Sequence, residues 1–362
     1  MKRTVLFIAL AIIFLSILAY FITGKKSNED SDKYFIATEM ESNKRVKDSN
    51  LDAVSEDASH ILDTTKLLFP TKSTKVKNAG YKADPKREWI IKLTKVNGGD
   101  FKQKDITELF DYEWRTKYES TIYGYLIKNH EWTFADAGDS PDTFDKIEIA
   151  INLLNTYNTE TPDYDPKKLE GYLTELQKRA EKFHEKLLIE KTETIANAII
   201  KAKKIVQLNQ EFNLDAIIIL RAKQSFKGAA AWDALQSVGL SWGDGDLFHW
   251  VNTHDYGGDE HFSVWTSTAP NYFLPEKVKS GNMNPNDLIF GFSIARSVDP
   301  ENIFEIMVNA AKYCQKRLGG ELLNENGKSF NFDNEKLKLK LFLSKMKQKG
   351  IVPGSGDGLQ NF

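Results

Sequence analysis

The feature that most restricts this chain is an uncharged apolar run from Val5 to Ile22, broken only by Ser16 and Tyr20. As a helix it extends roughly 27 Å, close to the hydrocarbon thickness of a bilayer. Lys2 and Arg3 precede it, Lys25 and Lys26 follow it, and Tyr20 and Phe21 lie near one end, where aromatic rings favour the interface. A cleaved signal peptide has a shorter apolar region that ends in a small-x-small site. The stretch Ala19-Tyr20-Phe21-Ile22-Thr23-Gly24 offers no such site. Residues 1–23 are therefore expected to be a single-pass transmembrane anchor, with the bilayer contacted through residues 4–23. Equal basic charge on both sides leaves the orientation open.

The remainder is ordinary globular material. Over the whole chain 49 Lys and Arg residues against 51 Asp and Glu residues give a net charge of -2, so no basic field recruits nucleic acid. The only cysteine, Cys314, excludes an intramolecular disulfide and sits in a helical pattern over Ile303 to Leu318, as a small buried residue would. No nucleotide-binding glycine loop follows a strand, and neither a Gly-x-Ser-x-Gly elbow nor a His-Glu-x-x-His pair occurs. The expectation is a non-enzymatic protein without cofactor or metal.

Residues 24–85 are polar and read as a disordered linker, with one apolar cluster at Ile61 to Phe69. Residues 86–160 read as a small α+β unit: a strand at Trp89 to Leu93, a short helix at Ile106 to Phe110, further strands at Ser120 to Tyr125 and Trp132 to Phe134, and helical spacing over Phe144 to Leu154. Residues 161–210 read as a long helix or helical hairpin opened by Asp165-Pro166. Its apolar positions Leu169, Leu173, Leu176, Ala180, Phe183 and Leu187 have heptad spacing. That seam can serve self-association through 166–206 or pack on its own domain, and packing is the favoured reading. Residues 211–350 carry β-α-β-β-β-α-β-α order, an α+β domain with a mostly antiparallel sheet and helices on one face, and 351–362 form a tail.

Ordered pieces of this domain, from Ala216-Ile217-Ile218-Ile219 through Gly239-Leu240-Ser241-Trp242-Gly243-Asp244 to Leu318-Gly319-Gly320, resemble the FtsZ-binding domain of the ZipA family of bacterial division proteins. The residues that carry the resemblance are Ala216-Ile217-Ile218-Ile219, Phe226-Lys227-Gly228, Gly239-Leu240-Ser241-Trp242-Gly243-Asp244-Gly245-Asp246-Leu247-Phe248-His249, Phe262-Ser263-Val264, Pro270, Phe290 and Leu318-Gly319-Gly320 before Leu322-Leu323. It implies a soluble part on the cytoplasmic side of the bacterial inner membrane. There the open sheet face would take the apolar C-terminal peptide of an FtsZ-like protein. Positions that hold groove methionines in the family match Gly245 and Ser267 here. Phe248, Trp265 and Phe290 are the expected anchors of a reshaped groove, with Leu247 and Ile217 beside them. An intervening folded unit departs from the family, whose linker runs directly into the domain. That unit has apolar spacing parallel to the C-terminal domain and can be a degenerate copy of it: Ile90-Ile91-Lys92-Leu93, Phe101-Lys102 and Ile106 to Phe110 against Ile217-Ile218-Ile219-Leu220, Phe226-Lys227 and Trp232 to Leu235.

A second reading uses Asp244, Asp246, His249, His254, Asp255 and His261. It makes the chain an exported, membrane-tethered metal-dependent hydrolase or binding protein with its site in region 244–261. The anchor itself is testable. Mass spectrometry of membrane fractions should recover the intact N-terminus, and Ile12→Arg should block insertion, since a mid-span charge costs about 2.5–3.5 kcal/mol.

Overall fold

The computed structural model describes residues 40–70 and 82–362, apart from 129, 138, 139, 159–162 and 165. The expected anchor, residues 1–23, lies outside the described residues, as does Asp165. Among the described residues no helix is long and apolar enough to cross a membrane. The chain divides into two compact units.

One unit comprises the described residues between 82 and 211. Its strands are β1 (Glu88–Lys95), β2 (Thr121–Leu126), β3 (Glu131–Phe134), β4 (Lys146–Asn152) and β5 (Leu187–Lys191). They pair antiparallel in the order β3-β2-β4-β1-β5. Alternation in β1 sends Trp89, Ile91 and Leu93 into the core and leaves Lys92 outside. The helices α1 (Gln103–Leu109) and α2 (Tyr112–Lys117) follow β1, and α3 (Pro166–Lys182) and α4 (Ile195–Phe212) bracket β5.

Two expectations change here. Segments 86–160 and 161–210 are not separate: β5 breaks the helical pattern and pairs with β1, Leu93 opposite Ile189. The heptad spacing thus ends at this strand, whose first residue is Leu187. The seam residues Leu169, Leu176 and Phe183 join the unit's own core, so they are not free for self-association.

The other unit contains 40–70 and most of 212–362. Its strands are β6 (Asp215–Arg221), β7 (Ser241–Trp242), β8 (Phe248–Val251), β9 (Glu260–Trp265), β10 (Asp287–Ser293) and β11 (Glu321–Asn324). Their order is β7-β8-β9-β10-β6-β11, antiparallel throughout. The helices are α5 (Gly228–Ser237), α6 (Pro275–Lys279), α7 (Pro300–Leu318), α8 (Phe332–Gln348) and α9 (Gly356–Asn361). α7 packs on β6, β9, β10 and β11 and against α5. Cys314 is buried there, as its helical setting suggests. Both units share one device: the first strand of the main sheet lies between the penultimate and the last, β1 between β4 and β5, β6 between β10 and β11. They differ in the hairpin, which joins through its first strand β2 in one and its second strand β9 in the other.

The linker expectation is also corrected. Residues 40–69 form an ordered strap on the second unit. Arg45 donates to Glu276 at 2.8 Å and to Asp246 at 2.9 Å, and its guanidinium lies 4.8 Å from the Trp242 ring centroid. The Ser55 hydroxyl donates to Asp233 at 2.6 Å, and Arg317 joins both. The backbone N–H of Ala58 donates to Ser237 at 2.8 Å, and the indole of Trp232 donates to the Leu51 carbonyl at 3.2 Å. The backbone N–H of Leu68 donates to the Asp299 carboxylate at 2.9 Å, so the side chain of this N-cap residue of α7 holds the strap rather than the helix's own N–H groups. A polar segment cannot build a core, but it can borrow one, and Val46, Ala58 and Leu67 do so. The tail docks too: Gly354 donates to the Ala295 carbonyl at 2.9 Å and the Tyr256 hydroxyl to Pro353 at 3.2 Å.

Removing residues 40–69 should lower the unfolding free energy of this unit by about 3 kcal/mol or more, because burying Val46 and Leu67 is worth about 1.5–3 kcal/mol each. Urea unfolding of chains that begin at 40 and at 76 measures the difference.

Candidate binding face

Strand parity sorts the second unit's sheet into two faces. Phe248 lies opposite Val264, Val264 opposite Phe290, and Phe290 opposite Ile218. This row is on the helix-covered side, and all four residues are 0 % exposed. Phe248 packs edge-on against Trp232, with ring centroids 4.7 Å apart, and against Phe273 at 5.3 Å. The expectation that Phe248 and Phe290 line an open groove is therefore corrected: both rings are core.

The next row has the opposite parity. Trp265 lies opposite Ile289, Ile289 opposite Ile219, and Ile219 opposite Leu323. All four are half-buried, on the side of the sheet opposite the Phe248–Val264–Phe290–Ile218 row. Beside them run Ser263, Gly291 and Ile217. A Cβ at Gly291 would stand 2.6 Å from Cη2 of Trp265, so the indole lies directly across that glycine's backbone. Glycine is required there by close approach rather than by backbone angle. The result is a shallow apolar strip floored by Gly291.

Of the residues singled out in the sequence, Ile217 and Trp265 are brought together on this strip. Leu247 is half-buried after the turn in which Gly245 has φ of +62°. Ser267 ends the strip differently: its N–H and hydroxyl donate to Asp287 at 2.7 and 2.6 Å. Asp287 is fully buried and also accepts from Thr266 at 3.2 Å, with Arg221 3.5 Å away. Ile219, Ile289, Gly291 and Leu323 were missed. Alternation within β6 separates Ile217 and Ile219 from Ile218 and Leu220, but only the cross-strand register says which pair meets Trp265.

The Asp/His region does not converge. His249 exchanges hydrogen bonds with Ser263 at 2.8 Å and the Asp244 carbonyl at 2.8 Å. Asp246 pairs with Arg45, and the His254 ring stacks on Phe69 with centroids 3.5 Å apart. Among the described residues no group of three or more His, Cys, Asp or Glu is arranged to hold a metal ion.

Residues 214–337 match the family model of ZipA, C-terminal FtsZ-binding domain. Similar proteins include the cell division protein ZipA of Marinobacter nauticus, 28% identical over 108 residues, which are 30% of this chain and 31% of that protein. ZipA of Pseudomonas aeruginosa is 29% identical over 108 residues, 30% of this chain and 37% of that one. ZipA of Vibrio cholerae serotype O1 is 28% identical over 123 residues, 33% and 42% of the two chains. The chain thus spans about a third of the length of the curated relatives it matches. The ZipA-like match begins with β6 and ends early in α8, so it takes in every strand of the face described above. It excludes the strap and the unit before α4 ends.

His261, in this ZipA-like sheet, offers a pH test. Burial pulls its imidazole down to about 4, with His254 adding to the effect, and its Nε2 has no hydrogen-bond partner among the described residues. The folded value lies below the ordinary value of about 6.5, so the unfolded chain binds the extra proton first. Stability should therefore fall as pH drops from about 6.5 towards 4. Denaturant midpoints at pH 7 and 5 should differ less in His261→Phe than in the natural chain.

Proposed function

We propose that this chain is a non-enzymatic adaptor of bacterial cell division, in which the open face of the C-terminal sheet takes the apolar tail of an FtsZ-like protein. The single observation that carries the reading is the row Trp265–Ile289–Ile219–Leu323, half-buried on the sheet that matches an FtsZ-binding domain. A large aromatic on an uncovered sheet face costs solubility, and such rings mark interaction surfaces. An apolar peptide laid across the strip would gain most of its affinity from a few anchors. With Gly245 and Ser267 in place of long side chains at the margin, Trp265 becomes the leading anchor.

The adaptor reading extends to the bilayer. Residues 4–23 would hold the chain in the inner membrane with the folded part on the cytoplasmic side. Tethering raises the effective concentration of the face for a polymer near the membrane without any new contact. The unit over 82–211 is read as a degenerate copy of the C-terminal domain, supported by the shared placement of its first strand and by the equivalent buried phenylalanines Phe101 and Phe226.

Trp265→Ala should weaken binding of an FtsZ C-terminal peptide by about 1–3 kcal/mol and leave the melting temperature nearly unchanged. Phe290→Ala should instead cost about 3–5 kcal/mol of stability. Calorimetric titration and thermal melts on both variants separate the roles. Absence of peptide binding by the natural chain would overturn the reading.

A further inference from the structure

In the helix α8 lysine and leucine alternate: Lys336-Leu337-Lys338-Leu339-Lys340-Leu341. A strand would sort that alternation onto two faces, whereas a helix spreads it around its circumference. Asn331 settles the helix, its side chain accepting the Asn334 N–H at 3.0 Å. Leu339 and Met346 then face the domain and are buried. Phe342 meets Phe212 with centroids 5.7 Å apart, and Phe332 stacks on Phe304 at 6.1 Å. Leu337 and Leu341, one turn apart, are left outside at 57% exposure each.

Helical geometry puts Lys338 and Lys345 on one side of this leucine pair and Lys340 and Lys347 on the other. Lys338 reaches Glu335 at 2.9 Å and Lys340 reaches Glu301 at 3.5 Å. Lys345, Lys347 and Lys349 make no ion pair with any described residue. Attraction of cations to a helix C-terminus accounts for Lys345 and Lys347. It accounts neither for the flanking by Lys338 and Lys340 nor for two outward leucines.

We propose that the outward face of α8 is a contact for an anionic bilayer surface, with Leu337 and Leu341 entering the headgroup–acyl boundary and the flanking lysines lying among lipid phosphates. An apolar centre rimmed on both sides by cations on long stems matches a boundary whose polarity changes with depth. A nucleic acid would reward cations and polar groups at the centre of the patch, not leucines. A stable protein interface needs roughly 800 Å² from each partner, more than two leucines supply. The inference is independent of the peptide reading of the open sheet face.

The test uses the full chain reconstituted in vesicles, with Leu341→Cys carrying an environment-sensitive fluorophore. Cys314 is buried and does not compete for the label. In vesicles of phosphatidylcholine with phosphatidylglycerol, emission should shift to the blue and be quenched by brominated lipid. In phosphatidylcholine alone it should remain that of water, and added salt should reverse the shift. Lys345→Glu with Lys347→Glu should lower the bound-to-free ratio of the label by about fivefold or more for each lysine replaced. A label that stays in water over both vesicles overturns the proposal. So does one that shifts equally over both, or only when an acidic soluble protein is added. Peptide binding to the sheet, measured on the same double variant, should be unchanged, which keeps failure of this proposal distinct from failure of the adaptor reading.

Discussion

The central strand Asp215–Arg221 is hydrogen-bonded on both edges, to Asp287–Ser293 and to Glu321–Asn324. Its register leaves no freedom about faces. With Ile218 opposite Phe290, the helix side receives Ile218, Leu220, Phe290 and, through Val264, Phe248. A slip of one residue would turn all of these outwards and bring Ile217, Ile219 and Trp265 in. The packing of Phe248 against Trp232 and Phe273 opposes that slip, because turning Phe248 outwards would break both ring contacts. The open face is the consequence of satisfying the closed one.

Gly291 has a similar secondary role. Its lack of a side chain lets the Trp265 indole lie across the sheet instead of standing away from it. A flat indole over a backbone floor keeps part of its surface out of water while leaving the rest exposed. This makes a strip that is apolar without being deep, suited to an extended or helical segment rather than to a small enclosed ligand.

The strap shows how charge can order a chain that hydrophobicity cannot. Arg45 spans Asp246 and Glu276 while resting over Trp242, and Ser55, Asp233 and Arg317 form a second polar lock farther along. Burial works against the Asp233 carboxylate, but the hydroxyl and N–H of Ser55 and the Arg317 guanidinium outweigh it and hold its pKa below the usual range. Single exposed ion pairs contribute little; pairs combined with backbone hydrogen bonds and a few inserted apolar residues contribute more. The segment joining the N-terminus to the C-terminal domain is consequently part of that domain.

The sequence by itself determined the elements and the family likeness of the C-terminal domain. Helical spacing over Ile303 to Leu318 placed all but the first turn of α7, and the glycine pair Gly319-Gly320 marked its end, because these signals are local. The alternation of Ile217 to Leu220 was equally visible, yet not which side of it faced helices. Only the tertiary structure decided that Phe248 and Phe290 are core while Trp265 is not, since a strand's two faces are equivalent until its neighbours' register is fixed. Only the tertiary structure turned the last heptad position, Leu187, into the start of the strand Leu187–Lys191, because pairing with β1 joins residues far apart in the chain. The strap was illegible for the same reason: residues 40–69 carry too few apolar side chains to fold alone, and the acceptors that order them, Asp233, Asp246, Glu276 and Asp299, lie far along the sequence.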